Sequence, residues 1–144
     1  MPPAPSSPEP PVALLLLRAS RWFDAALLAG LAERGWPRLT PAQSLVFAHL
    51  DAEGTAPAEL ARRLGTTRQA TSDLVAGLVR MDVLETTEDP LRRGGRRVRL
   101  TAMGRELAAD ARRVLDDLEA GLGADRMADL RELLAGLLAA PVQR

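Results

Sequence analysis

The chain has 144 residues, 47% apolar and only 3% aromatic, with 19 basic residues balanced by 19 acidic ones. The length suits one domain with a sizeable core, and an apolar content dominated by Leu, Ala and Val favours helix over sheet. Cysteine, lysine and tyrosine are absent and histidine occurs once, which excludes disulfides, cysteine-ligated metal and Schiff-base chemistry and leaves little for acid/base work, so no enzyme, cofactor or metal is expected.

Met1 to Pro11 is rich in Pro and Ser and has almost nothing to bury, so residues 1–11 read as a disordered tail. Val12 to Arg34 reads as a long helix with Leu16, Ala19, Phe23, Leu27 and Leu31 on one face and Leu14, Leu15, Leu17 and Leu28 elsewhere on the cylinder. A helix apolar on more than one side needs more than one neighbour, and a second subunit is the economical supplier. Leu14 to Leu17 is apolar, but Arg18 and Arg21 end the run far short of a membrane span; no basic segment precedes it, so neither signal peptide nor membrane is expected and the location reads as cytoplasmic.

Gly35 ends that helix. Thr40-Pro41-Ala42-Gln43 is a capping box with proline at the first helical position, and it opens a helix to about Leu50 that offers Leu45, Val46, Phe47 and Leu50 to a core. Ala58 to Leu64 forms a short helix closed by a turn at Gly65, and Thr67 caps the next helix, 67–81. Its residues Ala70, Leu74, Val75 and Leu78 recur at spacings of three and four, which predicts one buried stripe and places Arg68, Gln69, Thr71 and Ser72 outward near the helix start.

Val83 to Thr87 and Val98 to Leu100 read as strands, joined through a wing at 88–99 in which Arg92, Arg93, Arg96, Arg97 and Arg99 fall within eight residues without an acid among them. Gly94-Gly95 fits a tight hairpin turn. Thr101 then caps a helix with Leu107, Ala111, Val114, Leu118 and Leu122 on one stripe. Gly121 and Gly123 break it, and Asp125 is placed to cap a last helix carrying Met127, Leu130, Leu134 and Leu137, with Leu133 and Leu138 beside the stripe. Arg112-Arg113 and Asp116-Asp117 have the spacing of intrahelical ion pairs.

Although net charge is zero, residues 62–105 hold ten arginines against five acids, and local charge sets the field at a binding face. A capped helix with polar outward residues beside an arginine-rich hairpin is a winged helix-turn-helix suited to nucleic acid. The fold class is mainly α with a small antiparallel β wing.

Helix order, the run Leu39-Thr40-Pro41-Ala42-Gln43, the segment Glu59-Leu60-Ala61-Arg62-Arg63-Leu64-Gly65, and Asp89-Pro90 followed by Leu100-Thr101-Ala102-Met103-Gly104 together resemble the MarR family of bacterial transcriptional regulators. The resemblance implies one domain over 12–140, a homodimer joined through 12–35 and 101–140, and a DNA-binding lobe over 40–100 that reads half of a palindromic operator, as a ligand-responsive repressor. Thr67, Arg68, Gln69, Thr71 and Ser72 would face the major groove of double-stranded DNA, and Arg92, Arg93, Arg96 and Arg97 the minor groove.

A small aromatic or anionic effector is implied in a crevice between the dimer helices and the lobe, with Arg18, Trp22, Trp36, Phe47 and His49 on segments that could line it. Three positions depart from the family pattern. Asp73 stands where a basic residue is common and calls for a partner such as Arg68 or Arg80; Gly94 replaces a wing arginine; Asp82 replaces a glycine and must accept left-handed backbone angles. The rival reading is a protein-interaction module of the same fold that has lost operator reading.

Overall fold

The computed structural model describes residues 8–141, so most of the tail expected at 1–11 lies outside the described residues. Six helices and one hairpin follow in the order α1 (Val12–Glu33), α2 (Pro41–Ala48), α3 (Pro57–Leu64), α4 (Arg68–Arg80), β1 (Leu84–Glu88), β2 (Arg96–Leu100), α5 (Ala102–Leu122) and α6 (Ala124–Ala139). Local chemistry sets most of the boundaries. Thr40 and Gln43 close both halves of the capping box at the start of α2, Gly65 ends α3 in a left-handed conformation, and Thr67 and Thr101 accept hydrogen bonds from the amides of Ala70 and Gly104 to start α4 and α5.

The strands pair antiparallel from Leu84 opposite Leu100 to Glu88 opposite Arg96. Thr55, just before α3, adds a bridge: its amide and carbonyl both bond Val98, each at 2.9 Å. The wing is thereby tied at its base to the helix-turn-helix. One core runs through both: Val46, Leu60, Leu78, Val83, Leu84 and Val98 are fully buried, and Leu31, Leu39, Val75 and Leu107 complete it. Burying each such side chain stabilises the fold by about 1.5–3 kcal/mol.

α4, the wing and α5 meet at Asp82 and Val83. Asp82 has a φ of 61° and is the one non-glycine with positive φ among the described residues, so the left-handed role expected of it is the one it takes. The amide of Val83 bonds the Leu78 carbonyl at 3.2 Å, the amide of Thr101 bonds the Val83 carbonyl at 3.1 Å, and the Thr101 hydroxyl donates to the Asp82 carbonyl. Gly104 is buried beneath this joint, where a Cβ would overlap the Val83 carbonyl oxygen.

Several expectations need correction. Leu45 lies on the outward side of α2 and is exposed rather than in the core, Val46 being the buried residue of that helix, which ends at Ala48 rather than near Leu50. Gly121 stays helical and the break falls at Gly123, with a φ of 105°. Asp125 sits in the first turn of α6 and caps nothing with its side chain. Of the expected ion pairs, Arg112 meets Asp116 at 2.9 Å, but Arg113 turns back to Asp110 and Asp117 lies 3.6 Å from Arg34 of the α1 end. The pair with Arg34 follows from α5 packing along α1, where Gly30 of α1 lies against Val114 of α5.

The apolar surplus on the outer helices remains uncovered. α6 has no buried residue, with Leu133 at 72% and Leu138 at 84% exposure, and Leu14, Leu15 and Leu17 of α1 are also exposed. Among the described residues, no helix is long and apolar enough to cross a membrane.

Two outcomes follow from this packing. Gly104→Ala should lower the urea-unfolding free energy by about 2 kcal/mol, since forcing a methyl group into a filled site outweighs the gain of roughly 1 kcal/mol in helix propensity. The second concerns acid. Paired first with Arg62 and then with Arg63, the Glu59 carboxyl is held down from 4.5 to about 2, while Asp51 is lowered chiefly by Arg63 and Asp110 chiefly by the Trp36 indole N–H. Carboxyls depressed in the folded state stabilise it above their unfolded values and lose that contribution as they protonate. Urea midpoints should therefore fall as the pH drops from 4.5 toward 2, shallowly because the groups lie at the surface, and Glu59→Gln should flatten part of the slope.

Candidate nucleic-acid interface

The start of α4 and the hairpin lie side by side. Thr67, in extended conformation, caps the helix and is exposed; Arg68, Gln69 and Ser72 follow on the exposed side. Thr71 does not. It is 2% exposed, and its hydroxyl donates to the Thr67 carbonyl at 2.9 Å. The reason is helical phase: Thr71, Val75 and Leu78 are spaced four and three apart and all three are buried, so the stripe begins at Thr71, with Ala70 at its partly exposed margin. A threonine can enter a core there because its hydroxyl is satisfied by its own helix.

Asp73 pairs with neither Arg68 nor Arg80. The Gln69 side-chain amide donates to the Asp73 carboxylate at 3.0 Å, and among the described residues no ion pair involves Asp73.

The arginines of the hairpin fall into two groups. Arg99 stands opposite Glu85 in the ladder and bonds it at 2.6 Å. Arg97 lies 3.2 Å from Asp89, whose side chain is 11% exposed and also accepts the Leu91 amide. Arg97, expected in the minor groove, is thus held against the base of the loop, and the acids just outside the arginine run supply the partners. Arg92, Arg93 and Arg96 are exposed and carry no ion pair among the described residues. The tip differs from a two-residue turn as well. It spans 89–95, is closed by bonds from Asp89 N to Gly95 O and from Gly95 N to Arg92 O, and has positive φ at Gly94 alone.

Arg68 and Ser72 of α4 and Arg92 and Arg96 of the wing border one hollow of about 520 Å³, floored by Val75 and Val98. Its rim combines unpaired guanidiniums with a helix N-terminus, whose free amides and dipole favour anions. Such a rim is suited to the phosphates and base edges of a duplex.

The residues expected around an effector are dispersed. Arg18 and Trp22 are exposed on α1, with Trp22 edge-on to Phe23 at 5.0 Å. Trp36 donates its indole N–H to Asp110 of α5 at 2.8 Å, Phe47 packs on the core, and His49 ends α2 with its carbonyl bonded by Arg63. A different set, including Arg21, Asp24, Leu28, Arg38 and Leu39, lines a hollow of about 590 Å³ between α1 and α2. The spacing of Arg21, Asp24 and Leu28 at three and four was the signal for that face in the sequence; Arg38, in the connection before α2, had none.

A MarR family model matches residues 39–93, from the turn before α2 to the tip of the wing. The fold is similar to that of RV1404 from Mycobacterium tuberculosis, with 26% identity, a TM-score of 0.68 and coverage of 94% of this chain and 99% of that one. It is also similar to CouR from Rhodococcus jostii RHA1 bound to p-coumaroyl-CoA, at 22% identity, a TM-score of 0.67 and coverage of 92% and 95%. A MepR mutant from S. aureus bound to an oligodeoxyribonucleotide shares 20% identity, with a TM-score of 0.57 and coverage of 90% and 99%. No curated protein matches the chain. The model match falls on the helix-turn-helix and wing, where the chain is similar to the MarR family, and the winged helix-turn-helix fold is shared with these structures along nearly the whole length.

Proposed function

We propose that the chain acts as a homodimeric, ligand-responsive repressor that grips a palindromic DNA operator, in the cytoplasm and without enzymatic activity. The observation that carries this is the hollow shared by Arg68, Ser72, Arg92 and Arg96, which brings a helix N-terminus and unpaired wing arginines onto one face. Thr67, Arg68, Gln69 and Ser72 enter the major groove, and Arg92, Arg93 and Arg96 reach the neighbouring minor groove, where narrow A·T-rich segments attract guanidinium. Thr71 and Arg97 support this surface from behind, the first within the helix and the second through Asp89.

Dimerisation uses residues 12–35 and 101–140 and leaves 40–100 as the reading lobe. Support comes from the leucines of α1 and α6 that find no cover within the protomer, which a second copy of the same helices would bury in a two-fold arrangement. The effector site is the hollow between α1 and α2. Arg21 and Arg38 suit an anion and Leu28 and Leu39 an apolar or aromatic body, a reading in keeping with the aromatic thioester bound by CouR. An effector shifts repression by preferring one lobe spacing over another.

Selection from random duplexes should enrich a palindrome with half-sites roughly 10 bp apart, bound with a loss of about 10³ to 10⁵ in affinity between 50 and 200 mM salt. Absence of any enriched palindrome would favour the interaction-module reading. A panel of phenolic acids in excess should raise the melting temperature by several degrees for at least one member, equivalent to about 3 kcal/mol at a hundredfold the dissociation constant; no shift from any of them removes the effector site.

A further inference from the structure

Asp73 is a carboxylate on the exposed side of α4, one turn beyond Arg68 and Gln69, and it has no cationic partner among the described residues. On a surface that meets phosphates, an unpaired carboxylate opposes binding. Its one side-chain contact is with Gln69, whose Nε2 donates to Asp73 Oδ1 at 3.0 Å. That contact has only one sense. An ionised carboxylate accepts and never donates, so turning the Gln69 amide over would set its carbonyl oxygen against the carboxylate. With one N–H bound to Asp73, Gln69 keeps its Oε1 acceptor and one remaining N–H for whatever lies beyond the helix.

Resting on the DNA-binding reading above, we propose that Asp73 is a specificity-determining positioning residue that fixes the Gln69 amide as an adenine reader. An acceptor beside a single donor complements the N6–H and N7 of adenine in the major groove. Guanine offers two acceptors there, O6 and N7, and would need both Gln69 N–H groups, one of which Asp73 holds. Thymine offers an acceptor and a methyl group, and cytosine a lone donor, so neither fills both positions. The contact strengthens as water is expelled from the groove. Asp73 thus narrows what the neighbouring side chain accepts without touching the base itself.

The test compares sites enriched from random duplexes by the native chain, Gln69→Ala, Asp73→Asn and Asp73→Ala, with circular dichroism to confirm that each variant keeps its helix. In the native chain one position of each half-site should be adenine by roughly tenfold or more over other bases, and Gln69→Ala should erase that preference. Asp73→Asn, which can both donate and accept, and Asp73→Ala should relax the same position about tenfold and leave the remaining positions intact. Overall affinity should rise in both as the repelling charge is removed.

If both Asp73 variants bind every sequence more tightly by one common factor and keep the adenine preference, Asp73 acts through charge alone and the proposal is overturned. A Gln69-dependent position occupied by a base other than adenine overturns it as well. Failure of the native chain to enrich any sequence would instead sink the DNA-binding reading, and this inference with it.

Discussion

The joint at Asp82, Val83 and Thr101 holds the molecule's working parts in register. There the end of α4, the start of β1 and the start of α5 share four polar contacts within a few residues, and Gly104 allows α5 to come up against the Val83 carbonyl. Each contact is modest, about 1 kcal/mol net for an ordinary hydrogen bond. Their value lies in geometry, since they orient a helix, a hairpin and a 21-residue helix with respect to one another at one place. Thr55 secures the opposite side of the hairpin by bonding Val98.

With those two ties in place, the position of the wing arginines relative to α4 becomes a property of the core rather than of a loop. Arg96 and Val98, two apart on β2, share the face that lines the hollow beside Arg68, while Arg97 and Arg99 fall on the other face. The alternation of a strand does this sorting. Acidic residues refine it: Asp89 and Glu85 take Arg97 and Arg99 out of the unpaired set and stiffen the hairpin. A wing whose base is cross-linked by ion pairs can present Arg92, Arg93 and Arg96 with less ordering left to complete on binding.

At the other end, α5 links the face formed by α4 and the wing to the helices that carry the uncovered leucines. Trp36 and Arg34 join the end of α1 and the connection after it to Asp110 of α5, so the α1 and α2 side of the hollow at Arg21 and Arg38 shares a frame with the helix that leads to the wing.

The local features were readable from the chain alone. Caps at Thr40, Thr67 and Thr101, the left-handed angle at Asp82, the helix-turn-helix spacing and the presence of an arginine hairpin all depend on residues within a few positions of one another, and short-range sterics and hydrogen bonding suffice to specify them. Which side chains those elements leave free was decided in three dimensions. Thr71 turned inward because the core, not the polarity of a hydroxyl, set the phase of α4; Asp73 found Gln69; Arg97 and Arg99 were claimed by acids across the hairpin; and Trp36 was drawn to α5 while Arg21 and Arg38 came to line the hollow. These outcomes depend on register, packing and partners distant in sequence, for which a linear pattern of residue types carries no coordinate.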